Sequence, residues 1–110
     1  MSTEDLNAMP VGLSTKGKKA YKAIMKALGD NTDTGGCKTF YSPAEWQARG
    51  EEYCKKAELI VVYDGGAVAP FINYDYSQYD FCEYMNNALE KVKLYAEPAT
   101  CWYSGIYAID

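Results

Sequence analysis

The apolar residues of this chain recur with two periods, and the first clear pattern along the chain is helical. Between residues 15 and 28 they return every three or four positions, which predicts an amphipathic helix that runs to about Leu28. Ser14 or Thr15 can cap the start of this helix, and Gly29 supplies its stop. Its polar side carries a lysine stripe formed by Lys18, Lys22 and Lys26.

Two further helices are predicted later in the chain. Ser42-Pro43-Ala44-Glu45 places a cap residue before a helix-starting proline and a glutamate, so we expect a helix from there to about Lys56. Ser77, followed by Asp80 three residues later, predicts the start of the third helix, and Pro98 ends that segment. The apolar face of the third helix consists of Phe81, Cys82, Met85, Ala88, Leu89 and Val92.

Four segments have strand character, and the most apolar of them predicts the centre of a sheet. Leu59–Tyr63 is almost continuously apolar, which is typical of a strand buried on both faces. After the turn Asp64-Gly65-Gly66, Phe71–Tyr74 predicts an antiparallel partner for that strand. Cys37–Tyr41 contains residues that favour strands, and Cys101–Ile109 alternates between two faces and closes the domain.

This element order predicts an α+β fold. A helix followed by strand–helix–strand–strand–helix–strand matches a ferredoxin-like βαββαβ antiparallel sheet with an extra N-terminal helix. Right-handed crossovers would place the second and third helices on one face of the sheet, while the first helix covers an edge or the other face. We expect residues 1–13 to form a flexible or irregular lead-in and residues 14–110 to form a single domain.

Charge is distributed unevenly along the chain, which narrows the classes of partner. The formal net charge is −4, yet residues 15–28 carry five lysines and no acid. Residues 57–90 contain six acidic residues and no lysine or arginine. Nucleic-acid-binding proteins usually have a basic surplus, so we expect no direct nucleic-acid binding. An acidic body in a chain with eleven tyrosines favours a partner with a basic surface, although charge runs are most often solvated faces.

The sequence contains no recognisable catalytic motif, which predicts that the chain is not an enzyme. Because histidine is absent, a nucleophile at Cys37 or Ser104 would lack its usual base, and Ser104 is better explained as a small buried polar residue. Gly35–Thr39 lacks the contiguous Gly-Lys-Thr of a phosphate loop, and the four cysteines lack the paired spacing of a zinc site. We expect no catalytic residue, metal or cofactor. The less favoured alternative is a magnesium site formed by some of the carboxylates of Asp64, Asp75, Asp80 and Glu83.

The start of the chain and its short apolar runs favour a cytoplasmic protein. Residues 1–10 lack the apolar segment of a signal peptide. Every purely apolar run is far shorter than the roughly 20 residues that a membrane span needs, so we expect no membrane association. Reduced thiols are therefore expected for the cysteines.

The segment from Asn73 to Tyr84 is the strongest candidate for a binding site. It interleaves four tyrosines with three acidic residues at a predicted strand-to-helix junction. Tyrosines beside carboxylates suit recognition of a basic protein surface, and the same rings can stack on a nucleobase. Alternatively, some rings fill the core while the acids stay in water. The predicted partner-binding residues are Asp64, Tyr74, Asp75, Tyr76, Tyr79, Asp80, Glu83 and Tyr84.

A further expectation comes from four segments, which are Ser14–Tyr21, Gly35–Cys37, Val62–Gly66 and Cys101–Ser104. Together they resemble segments of small uncharacterised accessory proteins from bacteriophages and related mobile elements. The resemblance implies a factor that acts in the cytoplasm of an infected bacterium, and it implies no catalytic residues. Some proteins of this kind block host defence enzymes by presenting acidic surfaces.

The sequence thus predicts a small acidic protein–protein interaction module. More specifically, we expect a phage-encoded inhibitor of a host nucleic-acid-handling or defence complex, which would bind a basic surface of that host protein. Two alternatives stay open. One is a protein that binds or sequesters a small molecule of the nucleotide type. The other is a self-associating structural domain, a homo-oligomer in which the lysine stripe meets the acidic body of a neighbour.

Overall fold

A computed structural model describes residues 6–34, 36–51, 54, 56–63, 66–100 and 102–109, with only the backbone described for Asp75. Within these ranges the fold is α+β, as predicted. The helices are α1 (Thr15–Leu28), α2 (Pro43–Ala48), α3 (Ala69–Ile72) and α4 (Tyr79–Glu90), with a short 3-10 turn over Tyr74–Tyr76. The strands are β1 (Phe40–Tyr41), β2 (Leu59–Val62), β3 (Leu94–Pro98) and β4 (Tyr103–Ala108).

The four strands form one antiparallel sheet in the order β1-β2-β4-β3. In its register Leu59 lies opposite Ile106 and Val62 lies opposite Tyr103. All four residues of β2 are buried. The prediction of a central strand buried on both faces is therefore confirmed.

Alternate residues of β2 face two separate apolar layers. Leu59 and Val61 join the larger layer. Ile60 and Val62 pack with Trp46 of α2 in the smaller one. The larger layer also contains five buried residues of α1 and α4, namely Ala20, Ile24, Leu28, Met85 and Leu89. The prediction that the second and third helices share a face is wrong, because α2 and α4 cover opposite faces of the sheet.

The predicted strand Phe71–Tyr74 is wrong, because this part of the chain is helical. It forms the end of α3 and the start of the 3-10 turn. Pro70 lies in the first turn of α3, where a helix has no use for the N–H that proline lacks. An apolar run this short is compatible with a buried helical turn as well as with a strand.

The ferredoxin-like order is not confirmed. In a split βαβ unit a third strand lies between the two strands that a helix joins, whereas β1 and β2, which α2 joins, are direct neighbours in the order β1-β2-β4-β3. The sheet also contains β3, which the sequence pattern does not predict, because it indicates only the end of a helical segment there. Its proline, Pro98, is tolerated because β3 is an edge strand.

Helix boundaries follow local signals in some places and depart from them in others. The Ser14 cap of α1 is confirmed, because Ser14 Oγ accepts a hydrogen bond of 3.0 Å from the Gly17 N–H. The capping box between Ser42 and Glu45 is also confirmed. However, α2 ends at Ala48 and not near Lys56, because Gly50 adopts the left-handed conformation with φ of 87°. Of the helices described, none is both long and apolar enough to cross a membrane.

Candidate interaction surface

The junction that carries the predicted site consists of the 3-10 turn and the first half of α4. The buried residues of α4, which are Cys82, Met85 and Leu89, fix one side of the helix against the core. The predicted Ser77 cap is wrong, because α4 begins at Tyr79 and no side chain caps its N-terminus. Ser77 instead adopts a left-handed conformation with φ of 60° and turns the chain into α4.

Aromatic side chains are concentrated on the outside of this junction. Of the eight large hydrophobic side chains found exposed among the described residues, five lie here. They are Tyr74, Tyr76, Tyr79, Phe81 and Tyr84. Tyr79 is the most exposed of these five, at 63%, and none of the four predicted tyrosines is buried. The rings are therefore available to a partner.

Three of the predicted residues, Tyr74, Tyr79 and Glu83, lie close together on one side of α4 and the adjoining 3-10 turn. Together with Asn86 they form a surface that we call the tyrosine flank. Tyr79, Glu83 and Asn86 follow one another at helical spacing, so they project from the same side of α4. Asn86 Nδ2 donates a hydrogen bond of 2.6 Å to Tyr74 Oη. The ring centroids of Tyr74 and Tyr79 lie 6.3 Å apart. These contacts connect the 3-10 turn to α4 in a single surface.

The other predicted residues lie elsewhere. Tyr84 lies on the opposite side of α4, where it lines a groove shared with α1. Asp80 is exposed on the outer side of α4, between Tyr84 and the tyrosine flank. Tyr76 packs edge-on against buried Tyr63, with 6.5 Å between ring centroids. Asp64 and the Asp75 side chain lie outside the described residues.

The tyrosine flank rests on a packed contact between α3 and α4. Phe71 and Phe81 stack with ring centroids 4.7 Å apart and an interplanar angle of 9°. The Cys82 thiol donates a hydrogen bond of 3.1 Å to the Pro70 carbonyl. Burial raises the pKa of Cys82, so the thiol keeps its proton for this bond at neutral pH. A surface supported in this way presents its rings in a fixed arrangement.

A buried polar trio lies beneath the 3-10 turn and was missed by sequence reasoning. The hydroxyls of Tyr63 and Ser104 are 2.7 Å apart. Asn73 Nδ2 donates a hydrogen bond of 3.1 Å to Tyr63 Oη and another of 3.3 Å to the Thr100 carbonyl. All three side chains are buried, which confirms Ser104 as a small buried polar residue. Because a buried donor that loses its partner is costly, the trio fixes Asn73 at the residue that precedes the tyrosine-rich turn.

Candidate chemical groups are few in the part of the chain that the structure describes. It contains no cluster of three or more Cys, Asp or Glu side chains that could hold a metal ion. Two members of the predicted magnesium site, Asp64 and the Asp75 carboxylate, are outside that part. Cys37, Cys54 and Cys82 are unpaired thiols. Burial raises the pKa of Cys54, and the hydrogen bond with Tyr107 opposes this shift only in part.

Comparisons with known proteins assign no function to this chain. No protein-family model, curated protein or solved structure matches it. The resemblance to bacteriophage accessory proteins therefore stays a prediction. What the surface can bind follows from its exposed rings and charges.

Proposed function

We propose that the chain is a protein–protein interaction module that binds a basic partner through the tyrosine flank. The observation that carries this proposal is the set of exposed rings beside carboxylates at the start of α4. Tyr74 and Tyr79 are 47% and 63% exposed, although each ring is large enough to contribute substantially to a core. Apolar groups concentrated in one exposed patch with a polar rim are typical of interaction sites.

The chemistry of the surface favours lysine and arginine on the partner. Neither Asp80 nor Glu83 forms an ion pair with any residue that the structure describes. A partner arginine can pair with these carboxylates and lie over the face of Tyr79 at the same time. Tyrosine and arginine are also the residue types that most often dominate binding energy at interfaces.

A finer hypothesis concerns the identity of the partner. We propose that it belongs to a host complex that handles nucleic acid or acts in defence, and that the chain is a phage-encoded inhibitor of it. Proteins that bind nucleic acid present clustered lysines and arginines to the phosphates. An acidic tyrosine-rich surface is complementary to such a groove, which is the support for this hypothesis.

The test compares what the chain retains from a bacterial lysate with what two variants retain. Tyr79→Ser with Glu83→Lys changes the tyrosine flank, and Tyr95→Ser with Glu97→Lys makes the same changes on exposed positions of edge strand β3. We expect the wild type and the β3 variant to retain the same basic protein. We expect the flank variant to retain it at least about tenfold less, since one interface hot spot is worth about 2 kcal/mol. Equal retention by the flank variant would refute the proposal.

A second candidate function is binding of a small planar anion such as a nucleotide, and one cavity favours it. This cavity has a volume of about 400 Å³ and is lined by Tyr41, Trp102, Lys38 and Arg49, among others. Lys38 and Arg49 lie over the Tyr41 ring, 4.6 Å and 5.1 Å from its centroid, so Trp102 is the ring that offers a stacking surface. The two cations offer charge for a phosphate. Both cations already contact carboxylates, in the pairs Lys38–Glu45 at 3.4 Å and Arg49–Glu51 at 3.7 Å. These pairs are partly exposed and therefore weak enough for a phosphate to displace.

A thermal-shift measurement with ATP, GTP and inorganic phosphate tests this second candidate. A nucleotide in large excess over its dissociation constant should raise the melting temperature by mass action. The Arg49→Gln variant should lose that increase, while the tyrosine-flank variant should keep it. No increase with millimolar nucleotide would exclude nucleotide binding.

A further inference from the structure

A groove runs between α1 and α4 on the side of α4 opposite the tyrosine flank, and we call it the lysine groove. Its volume is about 570 Å³. The floor is formed by small side chains that follow one another every four residues, which are Ala23, Ala27, Ala88 and Val92. Four lysines line the same groove, namely Lys19, Lys22 and Lys26 of α1 and Lys91 at the C-cap of α4. The predicted stripe therefore contributes Lys22 and Lys26 to the groove, whereas Lys18 is not among its lining residues.

The positive charges of this groove are unmatched within the described residues. None of its four lysines forms an ion pair there, and no acidic residue lines the groove. Lys19 and Lys26 are seven residues apart in α1, which places three lysines along about 10 Å of helix. Charges of one sign around a concave apolar floor attract a ligand of the opposite sign.

The shape of the floor favours a helix as the occupant. Ala23 and Ala27 in α1 lie at i, i+4 spacing, as do Ala88 in α4 and Val92 in the turn that follows it, so each side of the groove presents a shallow row. The ridge of a third helix packs into such a channel, as in the recognition of amphipathic helices by helical grooves. Tyr84 stands at one end and adds a large apolar contact.

The shape of the groove argues against nucleic acid and lipid as occupants. A phosphate backbone has no apolar ridge to cover the floor, which would stay in contact with water. A flat bilayer surface would not reach the floor between two helices. A protein segment with its own apolar ridge satisfies both the charge and the shape.

We propose that the lysine groove binds an acidic amphipathic helix of a partner protein. The apolar residues of that helix would recur at i, i+3 or i+4 and i+7 and lie on the alanine floor. Aspartates and glutamates on its two sides would pair with Lys22 and Lys26 on one rim and with Lys91 on the other. The chain then carries two docking surfaces of opposite charge, on opposite sides of α4.

The proposal is tested with a fluorescently labelled synthetic helix that has leucines at this spacing and glutamates on both sides. A peptide of the same composition in scrambled order is its control. We expect saturable binding of the patterned peptide to the full chain at physiological salt, measured by anisotropy. Lys22→Glu with Lys26→Glu should weaken binding at least about tenfold. Lys18→Glu with Lys56→Glu alters net charge equally outside the groove and should change binding less than about threefold.

Further variants and ligands in the same binding experiment separate this proposal from its alternatives. Ala88→Gln fills the floor without changing charge and should also weaken binding about tenfold, provided that circular dichroism shows a folded chain. The tyrosine-flank variant should bind the peptide as the wild type does, so the two docking surfaces fail or succeed separately. Equal binding of the scrambled peptide, or equal loss in the Lys18 and Lys56 control, would overturn the proposal. So would tighter binding to duplex DNA, to phosphatidylserine vesicles or to a second copy of the chain, the last measured by sedimentation.

Discussion

At the scale of single residues, Gly17 shows how closely α1 approaches the sheet. A Cβ atom at this position would lie 2.5 Å from the Glu58 carbonyl oxygen and 3.1 Å from Leu13 Cδ2. The same corner is tied by Ser14, whose hydroxyl donates a hydrogen bond of 2.7 Å to Glu58 Oε1. The start of α1 and the start of β2 are therefore fixed against each other at contact distance.

Gly17→Ala should destabilise the chain although alanine is the better helix former. Helix propensity alone would favour alanine by about 1 kcal/mol. The new methyl group would push against a backbone carbonyl that cannot rotate away, and overpacking of this kind costs about 1–3 kcal/mol. The difference between cost and gain is a net loss of about 0–2 kcal/mol in the free energy of unfolding, measured in urea. Thr15→Ala, on an exposed position of the same turn, should change it by less than about 0.5 kcal/mol. A more stable Gly17→Ala chain would contradict the contact.

Hydrogen bonds between residues that are close in sequence could be predicted, and hydrogen bonds between residues that are distant in sequence could not. The Ser14 cap and the Ser42–Glu45 capping box each use partners three residues away, and the structure confirms both. The polar trio joins Tyr63 to Ser104, which is 41 residues later in the chain. No local pattern contains that pairing, because only the register of β2 and β4 brings the two hydroxyls together.

At the scale of elements, α4 decides how the predicted site is arranged. Tyr79, Glu83 and Tyr84 are close in sequence, and their proximity predicted one continuous binding patch. In the helix, however, Tyr84 faces the lysine groove while Tyr79 and Glu83 face away from it. The composition of the site could thus be predicted from sequence. Its division into two surfaces depended on which residues of α4 are buried.

The turn between Tyr76 and α4 gives a prediction about backbone strain. Ser77 holds a φ of 60°, in the left-handed region that β-branched residues avoid most strongly. Ser77→Val should lower the free energy of unfolding by about 1–2 kcal/mol, the cost of a left-handed residue with a branched side chain. Ser77→Gly should leave stability close to that of the wild type. Urea unfolding of both variants checks this, and a valine variant as stable as the glycine variant would contradict the turn geometry.

At the scale of the whole molecule, a two-sided sheet carries helices that are polar outside and apolar inside. The α+β class could be predicted because the helical periods of α1 and α4 and the apolar run of β2 are strong signals. The strand order could not, because one short apolar run was assigned to a strand when it is α3. The edge strand β3 also lies in a segment that we read as the end of a helix. Both differences concern short segments, whose state depends on what they pack against.

The charge pattern of the molecule has a consequence that its net charge conceals. A total of −4 predicts only a preference for basic partners. The fold instead places an acidic, tyrosine-rich surface and a lysine-lined groove on opposite sides of one helix. Together, the two proposals imply a chain that holds two different proteins at once or binds one protein that offers both charges.

The proposal that the tyrosine flank binds a basic protein is tested most directly by hydrogen exchange, in the complex between the chain and the protein that the lysate experiment identifies. Exchange measured with and without that protein reports which backbone amides become protected. We expect protection to be concentrated in residues 74–86, which contain the 3-10 turn and the tyrosine flank, and to be absent from β3. Protection confined to other parts of the chain, with unchanged exchange over residues 74–86, would show that the partner does not bind the tyrosine flank.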